Sequence, residues 1–374
     1  MNEAGNGGGN RKLRFGLVGC GRIGSRHAEQ IAKNPRAELT VACDVEGDRA
    51  RAVAERFGGR ATERFEDALG PEVDIVSVCT PSGLHAAMSI AALGGGKHVL
   101  CEKPMTMSVA DAEAVVEAER RSGKRFLLVK QNRYNPPIRF LKDLAWHKRL
   151  GQITLINCNV IWNRRKSYYD ESPWRGTMHL DGGALMTQCS HFLDLMIWIG
   201  GAVHSVSAIM ANLTHPYVET EDAGFVTLRF RSGALGSLQY TTNAYEKNIE
   251  GSMTILGTEG SVKVGGEYLN TLEFCNVRDL ESPTLEPGNP ANDYGSYKGS
   301  MSNHDKVIEN AVEVLLDAKE IAVNSVQGLE SIEALQAAYV SAIERREVKL
   351  PLSGADRAFR LDRQPPLSGA KRRL

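Results

Sequence analysis

The first third of the chain alternates short, continuous apolar runs with segments of helical period. LRFGLVG (13–19), ELTVACD (38–44), VDIVSVCTP (73–81), KHVLCEKP (97–104) and KRFLLVKQN (124–132) predict strands. Their apolar positions are unbroken rather than alternating, as expected of strands covered on both faces of a parallel sheet. Helices are expected between them over Gly24–Asn34, Asp48–Phe57, Ser82–Gly94 and Ser108–Ser122. Alternation at this pitch implies an α/β fold with a doubly wound parallel sheet. After Pro136-Pro137 the pattern changes. A helix near 138–149 precedes ITLINCNVIWN, a loop rich in Arg, Tyr and Trp, and a helical stretch from Gly183 to Ile199. Then come strands joined by short turns: VHSVSAIMAN, AGFVTLRF, ALGSLQYTTN, GSMTILGTEG, SVKVGG and TLEFCNV. They predict an α+β region with an open, mostly antiparallel sheet. Residues 280–300, rich in Pro, Gly, Asn and Ser, read as a loop. Helices near 303–317 and 326–345 and a last strand in VKLPL complete the pattern.

Composition narrows the function classes. The 374 residues are 42% hydrophobic, enough for two domains with real cores. Lys+Arg 45 balance Asp+Glu 45, which argues against a protein that holds nucleic acid by bulk electrostatics. No apolar run reaches the roughly 18 residues of a membrane span. The Gly/Asn-rich start, Met1 to Asn10, lacks the apolar stretch of a secretory signal. Seven cysteines without a CxxC, several inside apolar runs, read as free thiols of a reduced, cytoplasmic protein. The nine histidines are scattered and show no metal-ligand spacing, so no metal is expected.

The strongest local signal is Gly19-Cys20-Gly21-Arg22-Ile23-Gly24, a GxGxxG between a predicted strand and a predicted helix. Gly19 suits a tight turn, Gly21 a close backbone approach to a pyrophosphate, and Gly24 close helix–strand packing. Asp44 ends the next strand twenty positions after Gly24, placed to hold ribose hydroxyls. An acid there favours NAD over NADP, a preference that Arg22 and Arg49 soften. Thr80, Pro81, Ser82 and His85 follow the next strand at the same carboxyl edge and are candidates to line the cofactor, with Ser82 equally suited to cap a helix. Glu102 and Lys103 end another strand at that edge, where a lysine can hold or polarise a substrate hydroxyl. Asp181 is read as the cap of the helix beginning at Gly183.

GCGRIG, CTPSGLH and EKPMT, in this order and spacing, resemble the glucose–fructose oxidoreductase/inositol dehydrogenase/MocA family. Trp-Arg-Gly (174–176), DGGALM (181–186), Gln188-Cys189-Ser190-His191 with Asp194, RSGALGS (231–237) and ILGTEGSVKVGG (255–266) extend the resemblance over roughly 12–352. It implies that Lys103 and His191 are the catalytic pair flanking the reacting carbon. Many members carry an Asp four residues before the histidine; this chain has Thr187, which leaves a full triad in doubt. QNRYNP (131–136) with VIWNRRKSYYDESPWRGT (160–177) resembles the UDP-N-acetylglucosaminuronate 3-dehydrogenases of lipopolysaccharide O-antigen biosynthesis. That resemblance implies NAD-dependent oxidation of a sugar C3 hydroxyl. Arg164 or Arg175 is then expected on the uronate, and Tyr168, Tyr169 and Trp174 against sugar faces. Asn132 with Asn303 or His304 is expected on hydroxyls or diphosphate, and Thr187 and Gln188 beside the substrate.

The expected division is a disordered extension (1–11), an NAD-binding Rossmann domain (12–135), a substrate and oligomerisation domain (136–352) and a solvated tail (353–374). A homodimer or homotetramer through the second sheet is expected, with no nucleic-acid or membrane partner. The alternatives are an inositol or free-sugar dehydrogenase of the same family and a silent dinucleotide-sensing regulator. Retention of both Lys103 and His191 speaks against the regulator.

Overall fold

Strands β1 (Leu13–Val18), β2 (Ala37–Cys43), β3 (Arg60–Thr62), β4 (Ile75–Val78), β5 (His98–Cys101) and β6 (Phe126–Leu128) make one sheet in the order 3-2-1-4-5-6. Every pair in it is parallel. The computed structural model describes residues 11–295 and 297–367. Most of the expected N-terminal extension and the end of the tail lie outside them. Helices α1 (Arg22–Lys33), α2 (Gly47–Phe57), α3 (His85–Gly94) and α4 (Val109–Ser122) fall between the strands. All four residues of β4 are buried, which accounts for the unbroken apolar run. The short edge strand β3 has no apolar run and no periodicity to announce it. The strand order reverses between β1 and β4, and that reversal opens a crevice at the carboxyl ends.

Helix α5 (Pro136–Trp146), opened by prolines suited to a first turn, leads into a second, eight-stranded sheet. Its members are β7 (Ile153–Ile161), β8 (Val203–Ala211), β9 (Ala223–Phe230), β10 (Leu235–Thr241), β11 (Glu250–Gly257), β12 (Gly260–Gly265) and β13 (Thr271–Val277). The eighth, β16 (Val348–Lys349), pairs with β8 at one edge. Only β7 and β10 run parallel within it. In β9, Gly224, Val226, Leu228 and Phe230 point inward while Phe225, Thr227 and Arg229 point outward. Between β7 and β8 lie α6 (Lys166–Asp170) and α7 (Ser190–Gly200); α7 and α9 (Ser325–Glu344) cover the inward face. The outward face leaves Ile209, Phe225, Leu235 and Phe274 exposed.

Four expectations change. Residues 280–300 are not wholly loop: β14 (Ala291–Asp293) and β15 (Lys298–Met301) form a hairpin. The stretch 183–199 is not one regular helix, because Leu185–Cys189 forms a π turn before α7. Helix α8 (His304–Asp317) returns to the first sheet, where Val307, Ile308, Ala311 and Val312 pack in one cluster with Phe15 and Leu17. The segment from Ser353 is docked rather than solvated as far as it is described. It forms α10 (Gly354–Ala358), buries Leu361 and bonds Leu367 N–H to the Glu219 carbonyl at 2.9 Å.

One buried ion pair ties the parts together. Arg133, in the 3-10 turn Gln131–Tyr134 after β6, donates through two nitrogens to Asp194 on α7, both at 2.9 Å. Ser331 of α9 donates to the same carboxylate at 3.0 Å, and the Lys130 ammonium stands 3.7 Å away. Burial opposes charge on Asp194, but Lys130 and Arg133 outweigh it and hold the carboxyl well below the usual range. Asp194→Asn leaves two cations buried without their counter-charge, and is expected to cost about 3 kcal/mol in urea unfolding at pH 7. Because folding depresses this carboxyl, its stabilisation is present above about pH 4 and lost as pH falls further. The Asn variant is expected to lack that part of the acid-induced loss.

Candidate active site

The crevice is a cavity of about 840 Å³ running from the β1–α1 turn to α7. Its cofactor end is built by close backbone packing. Gly19 has φ +91°, and a Cβ there would stand 2.6 Å from the Cys79 carbonyl oxygen. A Cβ on Gly24 would stand 1.9 Å from Gly19 O, so this glycine packs the helix on the strand and does not itself line the cavity. A Cβ on Gly21 would meet nothing within 4 Å; it would point into open space at the helix start. Helix α1 opens there with no side-chain cap and no acid in its first turn, which leaves its N–H groups for an anion. Asp44 lines the cavity at the end of β2, its Oδ2 accepting from Cys20 N at 2.7 Å and its Oδ1 from Glu46 N at 2.9 Å. Cys20, Ile23, Thr80, Pro81 and Ser82 line the same end. His85 lines it too, but its ring nitrogens face the Pro104 and Thr80 carbonyls at 2.7 and 2.9 Å and secure the loop. These residues fit a dinucleotide.

Arg22 reaches across the crevice to Glu171 at 2.9 Å, beneath the rings of Tyr294 and Tyr297. Glu171 also holds Arg175 at 2.5 Å. The two tyrosines come from the β14–β15 hairpin and were not anticipated. The only sequence signal for them is a pair of aromatics around Gly295, whose φ is +78°.

At the inner end Lys103, Thr187, Gln188 and His191 converge. The Lys103 ammonium donates to the Thr187 carbonyl, inside the π turn, at 2.6 Å. Burial lowers the Lys103 pKa and Arg164 adds to the effect, against Glu102 and Asp181, which raise it. Burial, with the Lys103 and Lys130 cations, holds His191 well below its usual pKa. Its imidazole is therefore neutral at pH 7, and neither ring nitrogen has a hydrogen-bond partner among the described residues. Such a group can take a proton from a hydroxyl, while the ammonium beside it stabilises a developing alkoxide. The Thr187 hydroxyl donates to Gly183 O at 2.8 Å.

Arg164, 1% exposed, is the largest fully buried side chain among the described residues. Its nitrogens donate to Gln188 Oε1 at 2.8 and 3.1 Å, to Asn163 O at 2.7 Å and to Asn248 Oδ1 at 3.3 Å. All of these acceptors are neutral, and no carboxylate pairs with it among the described residues. Tyr168, Trp174 and Arg175 line the cavity beside it, and the Tyr168 hydroxyl accepts from Gln188 Nε2 at 3.0 Å. Trp162, missed in the sequence, lies under the Arg164 guanidinium at 5.2 Å.

Other candidates fall elsewhere. Asn132 is buried and Tyr169 packs in a cluster with Tyr168 and Val218; neither lines the cavity. Asn303 donates to Asn135 Oδ1 at 2.7 Å and stays outside it. Asp181 caps no helix: its Oδ2 accepts from Gly176 N at 2.6 Å, and the side chain lines the cavity. His304 lines it at α8 and joins His27 and Glu102 in a buried group that chain spacing does not reveal. Glu102 Oε1 lies 3.0 Å from His27 Nε2 and 3.4 Å from His304 Nε2. Burial raises the Glu102 pKa, but the two imidazoles hold it well below the usual range.

Residues 13–130 match the family model for the oxidoreductase family with an NAD-binding Rossmann fold, and residues 138–263 match the GFO/IDH/MocA C-terminal domain. The dTDP-3,4-didehydro-2,6-dideoxy-alpha-D-glucose 3-reductase of Streptomyces violaceoruber is 30% identical over 291 residues, covering 76% of this chain and 82% of that protein.

The chain belongs to the Gfo/Idh/MocA family.

It is an NAD-dependent oxidoreductase. Its relatives also include the myo-inositol 2-dehydrogenase of Thermotoga maritima, 27% identical over 259 residues, covering 67% of this chain and 74% of that one. Among solved structures, the WlbA dehydrogenase from Chromobacterium violaceum in complex with NADH and UDP-GlcNAcA superposes with a TM-score of 0.84. It is 38% identical, covering 92% of this chain and 97% of that one. The WlbA dehydrogenase from Bordetella pertussis, also with NADH and UDP-GlcNAcA, gives 0.83 at 36% identity, covering 92% and 100%.

The glycines separate folding from cofactor binding. Gly21→Ala is expected to melt within about a degree of the parent and to lose the thermal stabilisation that NAD confers. Gly24→Ala, which drives a methyl into backbone, is expected to lower the melting temperature with or without NAD.

Proposed function

We propose that the protein oxidises the C3 hydroxyl of a UDP-linked N-acetylated uronic acid of the UDP-N-acetylglucosaminuronate type. Its place is in the cytoplasm, in the making of lipopolysaccharide O-antigen sugars. The observation that carries this reading is Arg164: a buried guanidinium whose partners among the described residues are all neutral, in the wall of the cavity that holds Lys103 and His191. A buried cation with no acid is satisfied by an anion from outside, and a guanidinium fork matches a carboxylate. The two WlbA structures, each with UDP-GlcNAcA, support the same ligand class. Arg175 serves less well because Glu171 already neutralises it.

The mechanism follows from the groups in place. NAD, when bound, supplies the hydride acceptor. Arg164 holds the uronate, and Tyr168 and Trp174 offer flat surfaces to the sugar. Neutral His191 accepts the proton of the reacting hydroxyl. Lys103, anchored on the Thr187 carbonyl, keeps its charge beside the forming carbonyl oxygen. The apolar row Ile209, Phe225, Leu235 and Phe274 on the outward sheet face supports a homodimer or homotetramer formed there.

With NAD, UDP-N-acetylglucosaminuronate is expected to be oxidised and UDP-N-acetylglucosamine, which lacks the carboxylate, to be a poor substrate. Turnover of free inositol or glucose with none of the UDP-uronate overturns the substrate assignment. His191→Ala and Lys103→Ala are expected to lose about 10²–10⁴-fold in kcat while retaining NAD binding. Arg164→Gln is expected to erase most of the preference for the uronate. A Phe225→Asp change is expected to lower the mass found by light scattering, whereas a parent protein already monomeric excludes the assembly.

A further inference from the structure

One fully buried carboxyl has no part in the chemistry described so far. Glu221, two residues before β9, is 1% exposed and does not line the cavity. Its Oε1 accepts from Leu185 N at 2.7 Å and from the hydroxyl of Tyr339, on α9, at 3.0 Å. The hydroxyl of Tyr240, on β10, stands 3.5 Å from the same oxygen. Both tyrosines are 1% exposed, so three elements and a turn meet on one acceptor away from water.

The group that Glu221 holds is the start of the π turn Leu185–Cys189. Such turns are wider than the α-helix and recur at functional sites. The chain enters this one through Gly182 and Gly183, and the same buried cluster touches both. The Tyr339 hydroxyl lies 2.8 Å from Gly182 O. Gly183 has φ +108°, and a Cβ there would stand 2.3 Å from Glu221 Oε2 and 2.8 Å from the Tyr339 hydroxyl oxygen. Only glycine lets the carboxyl lie against the chain at that point. Gly183 O in turn accepts from Thr187 N at 3.0 Å and from the Thr187 hydroxyl at 2.8 Å. The Thr187 carbonyl is the acceptor of the Lys103 ammonium at 2.6 Å. From Glu221 to Lys103 the path is two hydrogen bonds and three consecutive residues of the π turn.

Resting on the reading that Lys103 serves the reacting carbon, we propose that Glu221, braced by Tyr339, is a positioning residue for Lys103. It holds the π turn so that the Thr187 carbonyl stays aimed at the ammonium. An apolar side chain in its place takes this acceptor from the buried Leu185 N–H, and the turn relaxes with Thr187 in it. Burial raises the Glu221 pKa to about 7 and Asp222 adds to the rise, against the Leu185 N–H, its own N–H and the Tyr339 hydroxyl. Either form of the carboxyl keeps an oxygen for the Leu185 N–H, so the brace does not depend on its charge.

The test reads Lys103 directly. The pH dependence of its acetylation by acetic anhydride, followed by peptide mass spectrometry on the full chain, gives a titration midpoint without any substrate. The titratable groups around it, Glu102, Asp181, Arg164, Cys189, His191 and Lys130, are the same in every variant. Glu221→Ala is expected to lower the midpoint by about one pH unit, because the ammonium loses its carbonyl. The alkaline limb of kcat with UDP-N-acetylglucosaminuronate is expected to move with it. We expect kcat to fall about tenfold, with KM within about twofold and thermal stabilisation by NAD retained. Glu221→Gln keeps the acceptor and is expected to restore both midpoint and kcat. Tyr339→Phe is expected to move both in the direction of the Ala variant, and decides the matter if that variant does not fold. An unmoved midpoint, whatever the melting temperature, overturns the proposal and leaves Glu221 a purely structural group. A Gln variant as impaired as the Ala variant overturns it in favour of the charge. A midpoint that moves while kcat does not sustains the brace and overturns the role of Lys103. If the parent oxidises neither the UDP-uronate nor myo-inositol, the reading of the reaction fails and the midpoint still decides Glu221.

Discussion

A single carboxylate, Asp194, fixes the relation between the two halves of the molecule. It is almost wholly buried and bound by Arg133 from the turn after β6, by Ser331 from α9 and, at longer range, by Lys130. Taking three ionised groups out of water is costly, and only this mutual satisfaction makes the arrangement tenable. His191 sits one helical turn before Asp194 on α7, so the position of the imidazole follows from that of the ion pair. Lys130 links the two again, as anchor of Asp194 and as one of the cations that keep His191 neutral.

The cleft shows how a chain of zero net charge sorts its charges. Glu171 is shared between Arg22 and Arg175, one from each side of the opening. Arg164 receives no such partner among the described residues and is instead wrapped by rings and amide oxygens. Composition reports only the sum of these choices. A guanidinium on Trp162, Tyr168 and Tyr297 retains favourable contact with the ring faces while keeping its charge available.

The parallel sheet was legible because strands buried on both faces must be apolar throughout, and the GxGxxG because Gly19 and Gly24 answer steric demands of the backbone while Gly21 keeps the helix start open. Lys103 and His191 were read from family resemblance rather than from periodicity, since a lysine after a strand and a histidine on an apolar helix have no signature of their own. The β14–β15 hairpin was invisible: its strands are short and polar, and its tyrosines pack against the cleft rather than along an alternating face. The π turn also left no trace, for its residues are as apolar as those of a regular helix. Asp181 was misread because an Asp before a helix usually caps it. Here the chain turns through Gly182 and Gly183, both at positive φ, and carries the carboxylate away from the helix start. Contacts between residues distant in the chain, such as Arg22 with Glu171, have no local pattern at all.

The return of α8 to the first sheet has a consequence for how the protein is made. The surface formed by Phe15 and Leu17 among the earliest-synthesised strands is closed by Val307, Ile308 and Ala311, which leave the ribosome only after every strand of the second sheet's main body. His304, at the head of the same helix, arrives with them. The nucleotide half therefore waits, incomplete and with apolar surface uncovered, while the rest of the chain is translated. Its last wall is delivered by the far end of the polypeptide, so the order of synthesis and the order of assembly are uncoupled.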